Sequence, residues 1–270
     1  MTVEAQPVGG ERHRSLPTWL RAVRYYAYQY KRTWKGSVTT SFLYPVLYLA
    51  AMGVGLGSLV NKHVGVVDGL SYLDFIAPGL LAATAMQVAG NESMYPVMGA
   101  IKWWRTYYAM LATPLSVLDV LLGHLGWIVL RLLMVSVIYL GVMAAFGTIH
   151  SPLAVLAIPA AVLTGLAFAA PISAYAAAQN TDVGFTTIYR FILIPLFLFS
   201  GTFFPVSQLP AWLQPIAYAT PLFHGVRLCR GLTEGHLGWQ AALVSTAYLV
   251  VVFLVGCWLA ERSYAKRLVV

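Results

Sequence analysis

Within long apolar stretches a charged side chain is costly to keep, so the few that occur are the first candidates for function. Glu92, Asp119 and Arg131 stand in such stretches. Glu92 has three readings: pairing with a basic group, facing a polar path, or snorkelling to a nearby interface. Arg131 lies twelve residues beyond Asp119, about 18 Å along a helix, and Trp127, one turn before it, offers a cation–π face. It either binds an anionic headgroup or closes a structural ion pair.

Patterns that carry enzymatic chemistry are missing. No glycine precedes any of the five lysines, so the chain has no phosphate-binding loop for ATP, and HExxH, GxSxG and CxxC do not occur. His63 and Asp68 have the spacing of an acyltransferase HxxxxD pair, but a single match in a glycine-rich loop is the kind that arises by chance. Cys229 and Cys257 form neither a disulfide framework nor a metal motif, and no metal site is expected. Gly53 and Gly57 make a GxxxG, a spacing that lets two helices approach closely, and are the candidate dimer contact.

The elements that position these residues follow from composition. Of 270 residues 59% are hydrophobic and 10% charged, with a mean hydropathy of +0.73, against about 25% charged in a soluble domain. Several apolar runs approach the ~20 residues that cross a bilayer. The expected fold class is therefore an all-α polytopic membrane protein, and a soluble enzyme is excluded. The formal charge of +8 reflects basic clusters flanking the apolar runs, as in cytoplasmic flanks, and does not point to nucleic acid. Both termini are expected in the cytoplasm, which requires an even number of spans.

Residues 1–37 read as a cytoplasmic tail plus an amphipathic helix from Leu16 to Lys35 lying in the membrane interface. Six transmembrane helices are expected in 38–260, at about 38–60, 72–95, 115–146, 153–178, 188–204 and 239–260, with 261–270 as a cytoplasmic tail. Between the second and third spans, the segment Pro96 to Pro114 is too polar to span and reads as a short helix at the cytoplasmic surface. Between the fifth and sixth, Pro205, Pro210, Pro215 and Pro221 prevent a continuous crossing helix. A re-entrant helical element at about 205–237 is expected there, covered by protein or lining a cavity.

The run Ser200-Gly201-Thr202-Phe203-Phe204-Pro205, then Leu209-Pro210-Ala211-Trp212-Leu213-Gln214, then Pro221-Leu222 and His224, closely resembles the signature of ABC-2-type transporter permeases. Phe75-Ile76-Ala77-Pro78-Gly79, Thr84-Ala85-Met86, and Glu92 ahead of a segment ending in Thr113-Pro114-Leu115 resemble the nodulation-factor (lipooligosaccharide) and daunorubicin-resistance branch, which includes multidrug exporters. The resemblance implies a permease subunit in the bacterial cytoplasmic membrane, working as a dimer with itself or a paralogue and with two separate ABC ATPase subunits. On this reading the chain holds no cofactor, since ATP and Mg belong to the partner. The family's coupling helix would correspond to about 98–111, where Lys102, Trp103, Trp104 and Arg105 would couple to the ATPase, with the loop around Asp182 as a second docking point. Phe203, Phe204 and Pro205 would lie at an external gate, and Glu92 and Arg131 on the substrate path. The cargo would be a drug, lipid or lipid-linked oligosaccharide. The competing expectation, a membrane-embedded lipid-modifying enzyme, suffers because acidic, His and Cys residues do not cluster.

Overall fold

The computed structural model describes residues 17–32, 34–57, 67 and 69–269. Among these the chain is helical, with a single isolated bridge between Val67 and Leu70 in place of any strand. The His63–Asp68 pair lies outside the described residues.

Helix α1 (Thr18–Tyr30) is strongly amphipathic, burying Ala22 and Val23 while Arg21 and Arg24 face outward. It turns at Lys31 and Arg32 into α2 (Trp34–Tyr48), which continues as wide turns through Leu56. Helix α3 (Tyr72–Ser93) starts where the Ser71 hydroxyl accepts from the Asp74 N–H, occupying one of the orphan donors at a helix start. It is followed by α4 (Tyr95–Met98), which widens over Gly99–Trp103, and by α5 (Thr106–Leu111). Helix α6 (Val117–Ala145) is 29 residues long and opens with a reciprocal cap: Ser116 Oγ accepts from the Asp119 N–H and Asp119 Oδ2 accepts from the Ser116 N–H.

Helix α7 (Ala157–Ala178), entered by a short 3-10 turn, packs against α3, α6 and the last helix. Its buried side is built from alanines, including Ala161, Ala167, Ala169, Ala170, Ala176 and Ala177. Small side chains allow close helix approach where an apolar environment supplies no hydrophobic drive. The last helix returns the compliment at Gly256, where a Cβ would stand 2.5 Å from Pro171 Cδ.

A shorter helical run of α8 (Val183–Ile188), wide turns, and α9 (Ile194–Phe199) follows. The proline-rich stretch then forms a 3-10 turn, α10 (Gln214–Tyr218) and α11 (Pro221–Glu234), before α12 (Trp239–Leu268) completes the chain.

Among the described residues, four helical stretches are long and apolar enough to cross a membrane: 72–103, 117–145, 152–178 and 239–268. A shorter apolar run covers Val183–Phe199. Their surroundings differ: 72% of the apolar window in the first is buried within the protein but only 17% in the last. Helix α3 is thus a central post, while α12 presents most of its apolar surface outward.

Two sequence expectations need correction. The fifth apolar run was expected over 188–204; it begins at Val183 and stops at Phe199, because Ser200 leaves helical geometry and Gly201 takes φ +82°. The segment 98–111 is not one helix. The Trp104 ring folds back over Gly99, and Arg105, the only non-glycine with positive φ among the described residues (φ 52°), bends the chain into α5. The C-terminal stretch 261–268 is a helical continuation of α12. Burial of Tyr264 against Tyr107 (hydroxyls 3.5 Å apart) holds its last turns to α5, and Lys266 and Arg267 suit the negative end of the helix dipole.

Candidate functional site

The C-terminal ends of α3, α7 and α12 and the N-terminal ends of α6 and α8 share one end of the bundle. Glu92, in the last turn of α3, lies there. Arg131 Nε donates to Glu92 Oε1 at 3.0 Å, with side chains 14% and 21% exposed. Of the two roles open to Arg131, the ion pair is the one the structure contains. Trp127 does not supply the cation–π face; its Nε1 donates to Glu92 Oε2 at 3.3 Å. The ring beside the guanidinium is Tyr30, 5.0 Å from Arg131 Cζ to centroid, and its hydroxyl accepts from Arg131 Nη1 at 3.0 Å. The Trp127 indole is turned to the carboxylate, whereas α1 lays Tyr30 beside the guanidinium.

What brings α1 there is the packing of small residues on α6. A Cβ on Gly123 would fall 2.3 Å from Ala22 Cβ, and one on Gly126 would fall 2.8 Å from Val23 Cγ2. The start of α1 is tied down as Thr18 Oγ1 donates to Asp119 Oδ1 at 2.6 Å. Asp119 thereby serves as a structural clasp, capping its own helix and holding the next. Buried His124 completes the wall, one ring nitrogen 3.1 Å from the Glu92 carbonyl oxygen and the other 3.3 Å from Tyr26 Oη. Together with Tyr25, Trp104 and Trp127 these groups surround a cavity of about 580 Å³. Its walls are aromatic, and its two opposite charges are already paired.

At the same end, Lys102 Nζ donates to the Asn180 carbonyl at 2.7 Å, joining the segment after α3 to the loop after α7. Trp103 and Trp104 are 51% and 64% exposed, and Asp182 is exposed in that loop. The residues expected to couple to a partner are therefore brought to one surface.

The opposite end lies about 25 Å away along α3. Arg230 of α11 donates from Nε to the Phe75 carbonyl (3.0 Å) and from Nη2 to the Gly201 carbonyl (2.9 Å), with Cζ 3.7 Å from the centroid of the Phe75 ring. It clamps the Phe75–Gly79 motif to the Ser200–Pro205 motif. Phe203 packs edge-on to Phe197 at 5.0 Å; Phe204 covers a small cluster of Val206, Leu209 and Ala217. Pro205 starts the 3-10 turn and lines a cavity of about 880 Å³ with Arg227, Arg230 and His224. Gly57 is buried within the chain, where a Cβ would meet Tyr72 Cδ1 at 3.6 Å; the surroundings of Gly53 lie outside the described residues.

Sequence reasoning missed several of these groups. Asp74 and Glu234 flank His150, at 4.0 and 3.4 Å. Burial pushes the Glu234 carboxyl above its ordinary range, the neighbouring Asp74 charge adds to the rise, and His150 opposes it. Asp74 was legible as an acid at the start of an apolar run; Arg230 carried no local signal, since its acceptors are backbone carbonyls 155 and 29 residues away.

The profile of the ABC-2 type transporter family matches residues 19–233. The chain belongs to this family. Among similar proteins, Nodulation protein J of Rhizobium leguminosarum bv. viciae is 33% identical over 98% of this chain and 100% of its own length. Nodulation protein J of Rhizobium meliloti (strain 1021) is 29% identical over 90% and 93%. The inner membrane transport permease YadH of Escherichia coli (strain K12) is 26% identical over 83% and 86%. For an ABC-2 transporter chain, the match runs from α1 through α11, so both clamps, Arg131–Glu92 and Arg230 on its carbonyls, lie within the family's shared segment. The chain is a multi-pass membrane permease, of a family of transport subunits rather than enzymes.

Proposed function

We propose that this permease is the membrane-spanning subunit of an ATP-driven exporter, passing an amphipathic or hydrophobic substrate (a drug, a lipid or a lipid-linked oligosaccharide) outward across the cytoplasmic membrane. Two copies, or one copy and a paralogue, work with two ABC ATPase subunits that carry ATP and Mg. In this arrangement α2 and the Val183–Phe199 run join the four long helices as six spans, both termini are cytoplasmic, α1 lies in the inner interface, and α10 and α11 form a re-entrant element at the external gate with Phe203, Phe204 and Pro205. Gly53 would serve a contact between copies more readily than Gly57, which is already packed on Tyr72.

The observation that carries the reading is the 2.7 Å bond from Lys102 Nζ to the Asn180 carbonyl. It fuses the two segments expected to receive an ATPase into one surface, flanked by exposed Trp103 and Trp104 and by Asp182. Movement imposed there reaches Glu92 through the short α4, and from Glu92 it passes to α6 and α1 through Arg131 and Tyr30.

The test is purification of the tagged chain from its native host with mass determination of the intact complex. Two permease chains with two P-loop ATPase chains are expected. The double change Trp103→Ala with Trp104→Ala should leave membrane insertion intact and reduce ATPase recovery at least tenfold. A wild-type complex without an ATPase overturns the reading in favour of a lipid-modifying enzyme.

A further inference from the structure

Beside the surface just described, the wide turn after α4, the Arg105 bend, α5 and the last turn of α12 enclose a hollow of about 650 Å³, lined by Ile101, Lys102, Arg105, Tyr108, Lys266 and Arg267. Four of these six are cationic and none is acidic. Among the described residues none of the four has an acidic side chain within 4 Å. Lys102 gives its one hydrogen bond to a neutral carbonyl rather than to a carboxylate. The wall is built rather than incidental: Tyr108 Oη donates to the Arg267 carbonyl at 3.3 Å, tying α5 to the end of α12. Arg105 sits at the corner because it carries the left-handed residue of the bend. Four like charges around one concavity repel one another until an anion enters, and the concavity focuses their field upon it.

The surroundings identify which anion. Helix α12 is the helix whose apolar window is least buried, and its exposed stripe Val251, Val255 and Trp258 runs at helical spacing down to the hollow. Arg262 Cζ lies 3.7 Å from the Trp258 ring centroid, and Trp103 and Trp104, next in sequence to Lys102 and Arg105, are exposed. Tryptophans and basic side chains at the foot of an outward-facing apolar helix mark the headgroup level of a bilayer, and basic pockets between membrane helices hold anionic headgroups. The geometry points to a site for the phosphate of an anionic phospholipid, its acyl chains lying along the α12 stripe. The inference requires only that α12 is a membrane helix and does not depend on the exporter reading.

The test is native mass spectrometry of the full chain in detergent with added dioleoylphosphatidylglycerol or dioleoylphosphatidylcholine. The phosphatidylglycerol adduct should predominate by about tenfold, and each single change Lys266→Gln or Arg105→Gln should cut that preference about fivefold. The quadruple change Lys102→Gln, Arg105→Gln, Lys266→Gln and Arg267→Gln should abolish it. Arg262→Gln, outside the hollow, and the charge-conserving Lys266→Arg should leave it in place, and unchanged elution and helicity show that each variant is folded. Equal retention of the two lipids, or a quadruple variant that keeps the preference, overturns the site. Displacement of phosphatidylglycerol by inorganic phosphate at about 1 mM identifies a soluble-anion site and overturns the lipid assignment, 1 mM corresponding to only weak binding. A quadruple variant that keeps the preference yet loses a co-purifying ATPase assigns the hollow to an acidic protein segment.

Discussion

Arg131 and Arg230 are guanidiniums held at opposite ends of one bundle, and they are satisfied by opposite means. Arg131 meets a carboxylate, Glu92, which also accepts from Trp127, and donates from Nη1 to the Tyr30 hydroxyl. Arg230 meets two backbone carbonyls and the face of Phe75. A pair of side chains joins two helices while leaving the backbone of each intact, so it binds α3 to α6 and α1 and remains able to separate as a unit. A guanidinium forked onto carbonyls fixes the backbone itself, here the turn at Gly201 against the start of α3. The first end joins helices through their side chains, and the second holds the shape of a turn.

This contrast breaks most visibly at the ion pair. Arg131→Ala leaves Glu92 charged in a mostly buried site with only Trp127 and polar contacts, and should cost about 3 kcal/mol, since removing one partner of a buried pair strands the other. The double change Glu92→Leu with Arg131→Met should recover most of that loss, because a buried pair contributes little over apolar groups of similar volume. Thermal unfolding in detergent, followed by size-exclusion fluorescence, closes the cycle. A double variant as unstable as Arg131→Ala would show that the aromatic cage, rather than the charge match, holds α1 to the bundle.

At the other end the comparison sharpens through a conservative change. Arg230→Lys keeps the charge but offers a point ammonium where a planar fork spans two carbonyls, so one of the Phe75 and Gly201 oxygens loses its donor. A loss of about 2 kcal/mol is expected, whereas the same charge-keeping change at Arg131, Arg131→Lys, should cost less because a single carboxylate can follow the ammonium. Equal losses at the two positions would erase the distinction between the two ends.

How far each end was legible in the sequence follows the same division. Glu92 and Arg131 stood out because charge inside an apolar run is conspicuous, and an ion pair with an unnamed partner was an open reading for each. The helical class and the interruption by Pro205, Pro210, Pro215 and Pro221 were legible because hydropathy and proline chemistry act locally. Tyr30 was invisible as a ligand of Arg131, since its placement depends on Gly123 and Gly126 admitting α1, a contact across about a hundred residues. The bend at Arg105 was equally hidden: a left-handed arginine has no composition signal, and it arises from the fold-back of Trp104 over Gly99. The extension of α12 to Leu268 was not legible, because the charged residues 261–267 end the apolar run and only the burial of Tyr264 against Tyr107 shows the helix continuing.

The smallest effect expected is at the His150 cluster, where Asp74, His150 and His236 act on Glu234. Glu234 is 6% exposed, its Oε1 has no hydrogen-bond partner among the described residues, and His150 beside it is 47% exposed. Burial raises the Glu234 carboxyl, so the folded state holds that proton more tightly than the unfolded chain does. Stability from this group is then present below its unfolded value and is lost as pH rises through the higher folded value; at neutral pH the charged form is carried at a cost. Glu234→Gln removes that cost together with one partner of His150, but a half-exposed histidine pair contributes little. The variant should melt about 2 °C higher than the parent at pH 7, and the advantage should shrink toward zero as the pH approaches 4, where the parent carboxyl is itself protonated. A variant that melts lower at pH 7 would mean that His150 outweighs burial and Asp74, and that this end, like the other, is held by a matched ion pair.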